Sequence, residues 1–304
     1  MKYSVLLFYK YVKVDNPEAL MDRERAVCEV LGIKGRIIVA KEGVNANIEG
    51  TPESIDKYVE HLKGDKRFRD AHLKFSEGDG KAFPRLSVKV REGLVGHRFP
   101  EHVSPLKRTG KYVQPHELKK MYEENSDDFI ILDMRNDYEV NVGHFDKTLN
   151  LDLKASRDLA KPEVLDKIRI HAGDGKKLIT ICTGGVKCEK MSSFLLDQGI
   201  ENVYQLHGGI QTYMKMYPGK DVKGALFTYD DRKVIHFGGD REIIGKCYQC
   251  GGKTENYENC AHEVCHQLLL VCDKCKHAND DSKFYCSADC KHAAAAVDNQ
   301  PVLG

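Results

Sequence analysis

The sequence predicts a multi-domain α/β protein that ends in a small metal-binding tail, and three observations predict it. Short apolar, β-branched runs alternate with segments of helical periodicity from Tyr3 to about residue 219, the pattern of sheets covered by helices. One run, Leu178-Ile179-Thr180-Ile181, leads directly into Cys182, a Gly-Gly loop and a further helix. Eight of the eleven cysteines fall in four close pairs between Cys247 and Cys290.

At 304 residues the chain has room for two or three domains. Its 41% hydrophobic and 31% charged residues, with a net charge of +1, exclude a disordered or fibrous protein. No apolar run approaches the roughly 18 residues of a membrane span, so no membrane partner is expected. The opening stretch, MKYSVLLFYKYVKVD, alternates into charge and reads as a first strand rather than a signal peptide. Paired cysteines without an export signal read as reduced thiols, which places the chain in the cytoplasm.

Residues 1–95 read as a small α/β unit. Tyr3 to Tyr9 is a strand, and Asn16-Pro17 caps a helix to Leu31. Arg36 to Ala40 and Val44 to Ile48 are strands joined by Glu42-Gly43, and Thr51 caps a helix to about Leu62. Leu73 to Phe75 and Arg85 to Val90 complete the unit, and the order β-α-β-β-α-β predicts a ferredoxin-like fold. Nothing in it carries a catalytic motif. From Lys57 to Arg91 ten Lys and Arg stand against five Asp and Glu, a local +5 that is either a solvated face or an RNA-contacting one. From Glu117 to Glu139 eight acids stand against three bases, a local −5. Residues 96–125 read as a linker, punctuated by Gly96, Pro100, Pro105, Gly110 and Pro115. His97, Arg98, His102, Lys107, Arg108 and Lys111 make it basic, so an RNA-contacting loop is the alternative.

Residues 126–219 hold strands at 129–132, 178–181 and 202–205 that alternate with helices, including one from Pro162 to Ile170. Such alternation predicts a parallel sheet covered on both faces. Cys182 ends the 178–181 strand, where parallel sheets place their sites. Thr183, Gly184, Gly185 and Val186 then form a cradle of backbone amides, followed by Lys187 and a helix from Cys188 to Gln198. Amides at a helix N-terminus bind anions and lower the pKa of a thiol, so Cys182 is the predicted nucleophile. Its place at the strand end predicts a side chain that faces solvent and adds little packing. Cys188 is either a resolving thiol or a packing residue. Asp133 and Arg135 follow another strand and reach the same crevice, with a structural pairing favoured over direct chemistry.

Residues 220–304 form the tail, whose first stretch, dotted with glycine, is expected to pack on the preceding domain. Cys247, Cys250, Cys260, Cys265, Cys272, Cys275, Cys286 and Cys290 have the paired spacing of structural zinc sites. A cross-braced arrangement joins the first pair to the third and the second to the fourth, for one or two ions. His262, His266, His277 or His292 could replace a cysteine. An iron–sulfur cluster is the competitor, since it also takes four thiolates.

The loop Cys182-Thr183-Gly184-Gly185-Val186-Lys187-Cys188 resembles the active-site loop of rhodanese domains. Asp133-Met134-Arg135 through Glu139 and Gly143-His144 resemble the rhodanese entry motif, and His207-Gly208-Gly209 its last turn. Together with Ala40-Lys41-Glu42-Gly43-Val44-Asn45-Ala46-Asn47-Ile48-Glu49-Gly50 and the cysteine-rich tail, they resemble the tRNA uridine hydroxylase family over nearly the whole chain. The resemblance implies a rhodanese-like domain and 5-hydroxylation of the wobble uridine of tRNA with molecular oxygen as co-substrate. It also implies that Cys182 is the family's persulfide-forming cysteine and Cys188 its second one. Lys187 stands where the family usually has Arg; lysine keeps the charge but not the planar fork that binds an anion bidentately. Leu226 stands where the family has Cys, so no role of that cysteine carries over. There is no flavin or nicotinamide fingerprint and no two-histidine, one-carboxylate triad. A persulfide sulfurtransferase and a zinc-held, non-catalytic RNA or protein adaptor are the alternatives.

Overall fold

The computed structural model describes residues 2–96, 99–238, 242–278 and 283–298. His97 and Arg98 of the basic connection lie outside the described residues. The first unit contains β1 (Tyr3–Tyr11), α1 (Pro17–Val30), β2 (Lys34–Ala40), β3 (Gly43–Gly50), α2 (Pro52–Gly64), β4 (Lys74–Gly78) and β5 (Leu86–Val90). Both helices begin as their sequences require. The Asn16 side chain accepts from Ala19 N at 3.0 Å, Thr51 Oγ1 accepts from Ser54 N at 3.2 Å, and proline follows each cap. The sheet order is β4-β1-β3-β2-β5. Its first four strands pair antiparallel, as a ferredoxin-like fold requires, and β5 extends the edge parallel to β2.

Side chains alternate across this sheet. Leu6, Phe8, Ile37 and Ile48 point into a core with Leu20, Ile55 and Tyr58 of the helices. Leu7, Tyr9, Tyr11, Asn45 and Asn47 take the opposite face, which meets the second unit rather than water.

That unit contains β6 (Lys111–Val113), α3 (Pro115–Glu123), β7 (Phe129–Asp133), α4 (Asp137–Val140), β8 (Gly143–Phe145) and β9 (Thr148–Leu149). It continues with α5 (Pro162–Gly173), β10 (Lys177–Ile181), α6 (Val186–Asp197), β11 (Val203–Leu206) and α7 (Gly209–Met216). Its sheet runs β6-β11-β10-β7-β9 with every neighbour parallel. Alternate residues of β7 and β10 feed two cores. Leu132 and Leu178 pack with Met191 and Leu195, while Ile131, Ile179 and Ile181 pack with Ile210 and Tyr213. Burial on both faces explains why these strands are continuously apolar. Residues 111–123, expected within the connection, supply the edge strand β6 and the helix α3, and α3 packs against α7.

The chain then returns along this unit through β12 (Val222–Gly224), which pairs antiparallel with β8, and the hairpin of β13 (Leu226–Phe227) and β14 (Val234–Ile235). The cysteine region holds β15 (Tyr257–Asn259), β16 (Leu268–Leu270), α8 (Asp273–Lys276) and α9 (Ala288–Asp298). Tyr257 and Leu270 share a core with Val142 and Phe227, which seats the tail on the middle unit.

Candidate active site

Cys182 stands at the carboxyl end of the central strand β10, beside the start of α6. The expectation that its side chain faces solvent is corrected, because the residue is 1% exposed. The loop folds back over the sulfur, and Gly185 N donates to Sγ at 3.1 Å. Burial alone would push this thiol up. The Cys188 thiol, the Lys187 charge and the backbone N–H groups of Cys188 and Gly185 overcome that and bring it to about 7. Each stabilises the thiolate more than the thiol. Cys188 is equally buried and is pushed well up, first by burial and then by its hydrogen bond to Cys182 and the charge there. One sulfur of the pair therefore ionises while the other stays protonated and donates to it.

Lys187 is held from long range. Its Nζ donates to Glu139 Oε2 at 3.0 Å and to the Tyr229 hydroxyl at 3.1 Å. Glu139 is fully buried and also accepts from Thr183 Oγ1 at 3.1 Å, Asn136 N at 3.0 Å and the Tyr229 hydroxyl. Burial raises the Glu139 carboxyl, but Lys187, Arg135 and Tyr229 outweigh it and the group is held below its ordinary range. Asp133 and Arg135 lie beneath this network. Arg135 Nε donates to Asp133 Oδ1 at 2.9 Å and Nη2 to Oδ2 at 2.6 Å, while Nη2 also reaches the Gly143 carbonyl at 2.7 Å. With side chains 0% and 1% exposed, this bidentate pair has no free donor face for a substrate and braces β7 against β8.

The N-terminal sheet roofs the loop. A Cβ on Gly184 would come within 2.6 Å of Leu7 Cδ2, and one on Gly185 within 2.8 Å of the Tyr9 hydroxyl. Gly185 also has φ +101°, so glycine here serves both the turn and the close approach of another domain. Across the same boundary the Tyr11 hydroxyl donates to Val186 O at 3.3 Å, and Lys190 Nζ pairs with Glu42 at 2.9 Å. Between roof and loop lies a cavity of about 290 Å³. Cys182, Thr183, Gly184, Val186 and Lys187 form one wall, with Tyr138 and Tyr229 beside them, and Arg36, Asn45 and Asn47 form the roof. The sequence motifs single out neither the roof nor Tyr229 as parts of the site, and they carry Glu139 only as part of the entry motif, not as the partner of Lys187. The available signal was β1 itself, whose second alternating set, Val5, Leu7, Tyr9 and Tyr11, is as apolar and aromatic as the first.

In the tail, Cys247, Cys250, Cys272 and Cys275 form one group and Cys260, Cys265, Cys286 and Cys290 another. In each group the sulfurs all lie within 4.8 Å of one another. The pairing is cross-braced, first with third and second with fourth. No histidine joins either group among the described residues. Cys250 and Cys272 sulfurs are 3.7 Å apart, Cys265 and Cys286 3.6 Å, against about 3.8 Å for two thiolates on one tetrahedral zinc.

A parallel sheet that presents an activated thiol from a Gly-Gly loop defines a rhodanese-like protein, and residues 114–216 match the rhodanese-like domain family. Residues 3–94 match the UPF0176 acylphosphatase like domain, and residues 223–291 match the family described as rhodanase C-terminal. Over nearly its whole length the chain is similar to proteins named tRNA uridine(34) hydroxylase. It is 39% identical over 291 residues to that of Cytophaga hutchinsonii, covering 95% of this chain and 90% of the relative. It is 40% identical over 299 residues to that of Staphylococcus haemolyticus (96% and 90%) and 38% identical over 298 to that of Enterococcus faecalis (97% and 92%). The chain belongs to the tRNA uridine(34) hydroxylase family.

Proposed function

We propose that this chain hydroxylates uridine 34 of tRNA, with molecular oxygen as co-substrate and Cys182 as the reactive thiol. The observation that carries the site assignment is the ionisable sulfur of Cys182 in the wall of an interdomain cavity. A base enters such a cavity only after leaving its stack, and aromatic faces then hold it. Tyr138 and Tyr229, whose hydroxyls are 3.2 Å apart, offer those faces beside Lys187. Cys188 is the resolving thiol: against a persulfide or a sulfenic acid on Cys182 its sulfur forms the Cys182–Cys188 disulfide and hydrogen sulfide or water leaves. The tRNA backbone lies on the basic N-terminal domain and the connection, where Lys63, Lys66 and Arg69 are exposed. Arg67 is committed to Asp65, by two hydrogen bonds at 3.0 and 2.6 Å, and stays out of this surface. The eight tail cysteines would hold zinc in two closed four-thiolate sites, where the metal supplies structure rather than a reactive position. Reduced thiols and a tRNA substrate suit the cytoplasm.

The test is nucleoside mass spectrometry of tRNA from a strain that lacks its own enzyme and expresses this chain. Appearance of 5-hydroxyuridine at position 34 is expected, and its absence under aerobic growth overturns the reading. In parallel, tRNA affinity should fall with added salt. It should fall further in a Lys66→Glu, Arg69→Glu variant whose Cys182 still reacts with alkylating reagents; unchanged affinity would move the tRNA to another face.

A further inference from the structure

We infer that Lys74, supplied by the N-terminal domain, is the second cation of the Cys182 site and a positioning residue for the anionic sulfur, thiolate or persulfide, on that cysteine. The inference rests on the proposal that Cys182 is the reactive thiol. Lys74 opens β4 and is the register partner of Leu7 on β1, so it shares the sheet face that roofs the loop. Its Cε would lie 3.9 Å from a Cβ placed on Gly184, two residues beyond Cys182. The residue is 5% exposed. Its ammonium makes one long hydrogen bond, to the His72 carbonyl at 3.4 Å, and sits 5.2 Å from the centre of the Tyr9 ring. Among the described residues it makes no ion pair with a carboxylate.

A buried ammonium without a counter-ion is costly, and such groups are retained where their charge is used. The groups around Lys74 leave one anion to use it. His72 shares its chain segment, and His207, from the loop after β11, packs on His72 with ring centroids 4.6 Å apart. Burial first, and then Lys74 itself, hold both imidazoles below their ordinary value. Tyr9 stays a neutral phenol, raised first by burial. Glu189 accepts from the Tyr9 and Tyr112 hydroxyls and from Gln205. Lys187 is like-charged and bonded to Glu139. What remains is the Cys182 sulfur. Burial lowers Lys74 to about 8, and the charge on Cys182 is what opposes that fall. The interaction is reciprocal, so the ammonium supports the thiolate, adding to the larger support from the Cys188 thiol, Lys187 and the loop amides. Lys187 comes from the rhodanese-like domain and Lys74 from the roof, so the anion site is complete only when the two domains are docked.

The experiment is peptide-resolved alkylation by iodoacetamide across a pH series, on the full-length wild type, Lys74→Met and Lys74→Arg. Cys28, buried in the N-terminal core, reports loosening of the fold. In Lys74→Met the Cys182 midpoint should move up by about half to one pH unit, which slows labelling below the midpoint by roughly three- to tenfold. Lys74→Arg should restore most of the rate, and Cys28 should stay protected in all three. An unchanged midpoint in Lys74→Met overturns the inference. So does faster labelling of both Cys182 and Cys28, which would show that Lys74 only maintains packing. If Lys74→Met does not fold, Lys74→Gln is read by the same criteria. A wild-type Cys182 that fails to react at any pH, with hydroxylation surviving its removal, would overturn the reactive-thiol proposal and this role with it; a reactive Cys182 indifferent to Lys74 overturns only the latter.

Discussion

Cys182 owes its low pKa to donors gathered around a buried sulfur, not to exposure. Serine at this position keeps the backbone hydrogen bonds and nearly the same volume. Cys182→Ser should therefore abolish 5-hydroxyuridine while changing stability by no more than about 1 kcal/mol near neutral pH. The pH dependence gives a sharper check. The folded-state value, about 7, lies below the ordinary 9.0. The thiolate therefore contributes stability that is fully present above the ordinary value and lost as pH falls through about 7. The stability gap between wild type and Cys182→Ser should widen from pH ~6 to pH ~9 in urea unfolding; a constant gap would show that the sulfur does not ionise in this range. The strand, the cysteine and the amide cradle were legible because they are contiguous. The partners of Lys187 were not: Glu139 and Tyr229 lie 48 and 42 residues away and reach it only through the fold.

β1 shows what an element can conceal. A strand of an open antiparallel sheet normally alternates apolar with polar, and β1 carries Leu6 and Phe8 on one face but Leu7, Tyr9 and Tyr11 on the other. Its order in the ferredoxin-like sheet was readable from sequence; that its second face would roof the Cys182 loop was not, since two-sided burial does not name the partner. The glycines of the loop record that contact. Gly184→Ala should push against Leu7 and loosen the roof, at a cost of about 1–3 kcal/mol. Leu7→Ala opens a small cavity by itself but relieves the clash. The double variant should therefore be more stable than the sum of the single losses by about 1 kcal/mol or more, measured by a double-mutant cycle in urea. Strict additivity would mean that the roof does not rest on this loop in solution.

At the scale of the whole molecule, three units converge on one cavity, and the tail holds the third side of it. Cys spacing made the tail legible, down to the pairing of first with third and second with fourth. Its attachment was not, because Tyr257 and Leu270 meet Val142 and Phe227 only in the folded chain. Through Phe227 this core adjoins Tyr229, which bonds Glu139 and Lys187 beside Cys182. A tail this polar has little core of its own, so the zinc proposal expects its fold to depend on filling the two four-sulfur groups. Protein purified without oxygen should contain two zinc per chain and no visible absorbance. A strong chelator should expose the eight tail thiols to reagent, and activity should fall as the support behind Tyr229 is lost, with the N-terminal core, reported by Cys28, still protected. Iron with acid-labile sulfide would make the tail a redox centre instead, and metal-free protein with a protected tail would remove the structural role assigned to zinc.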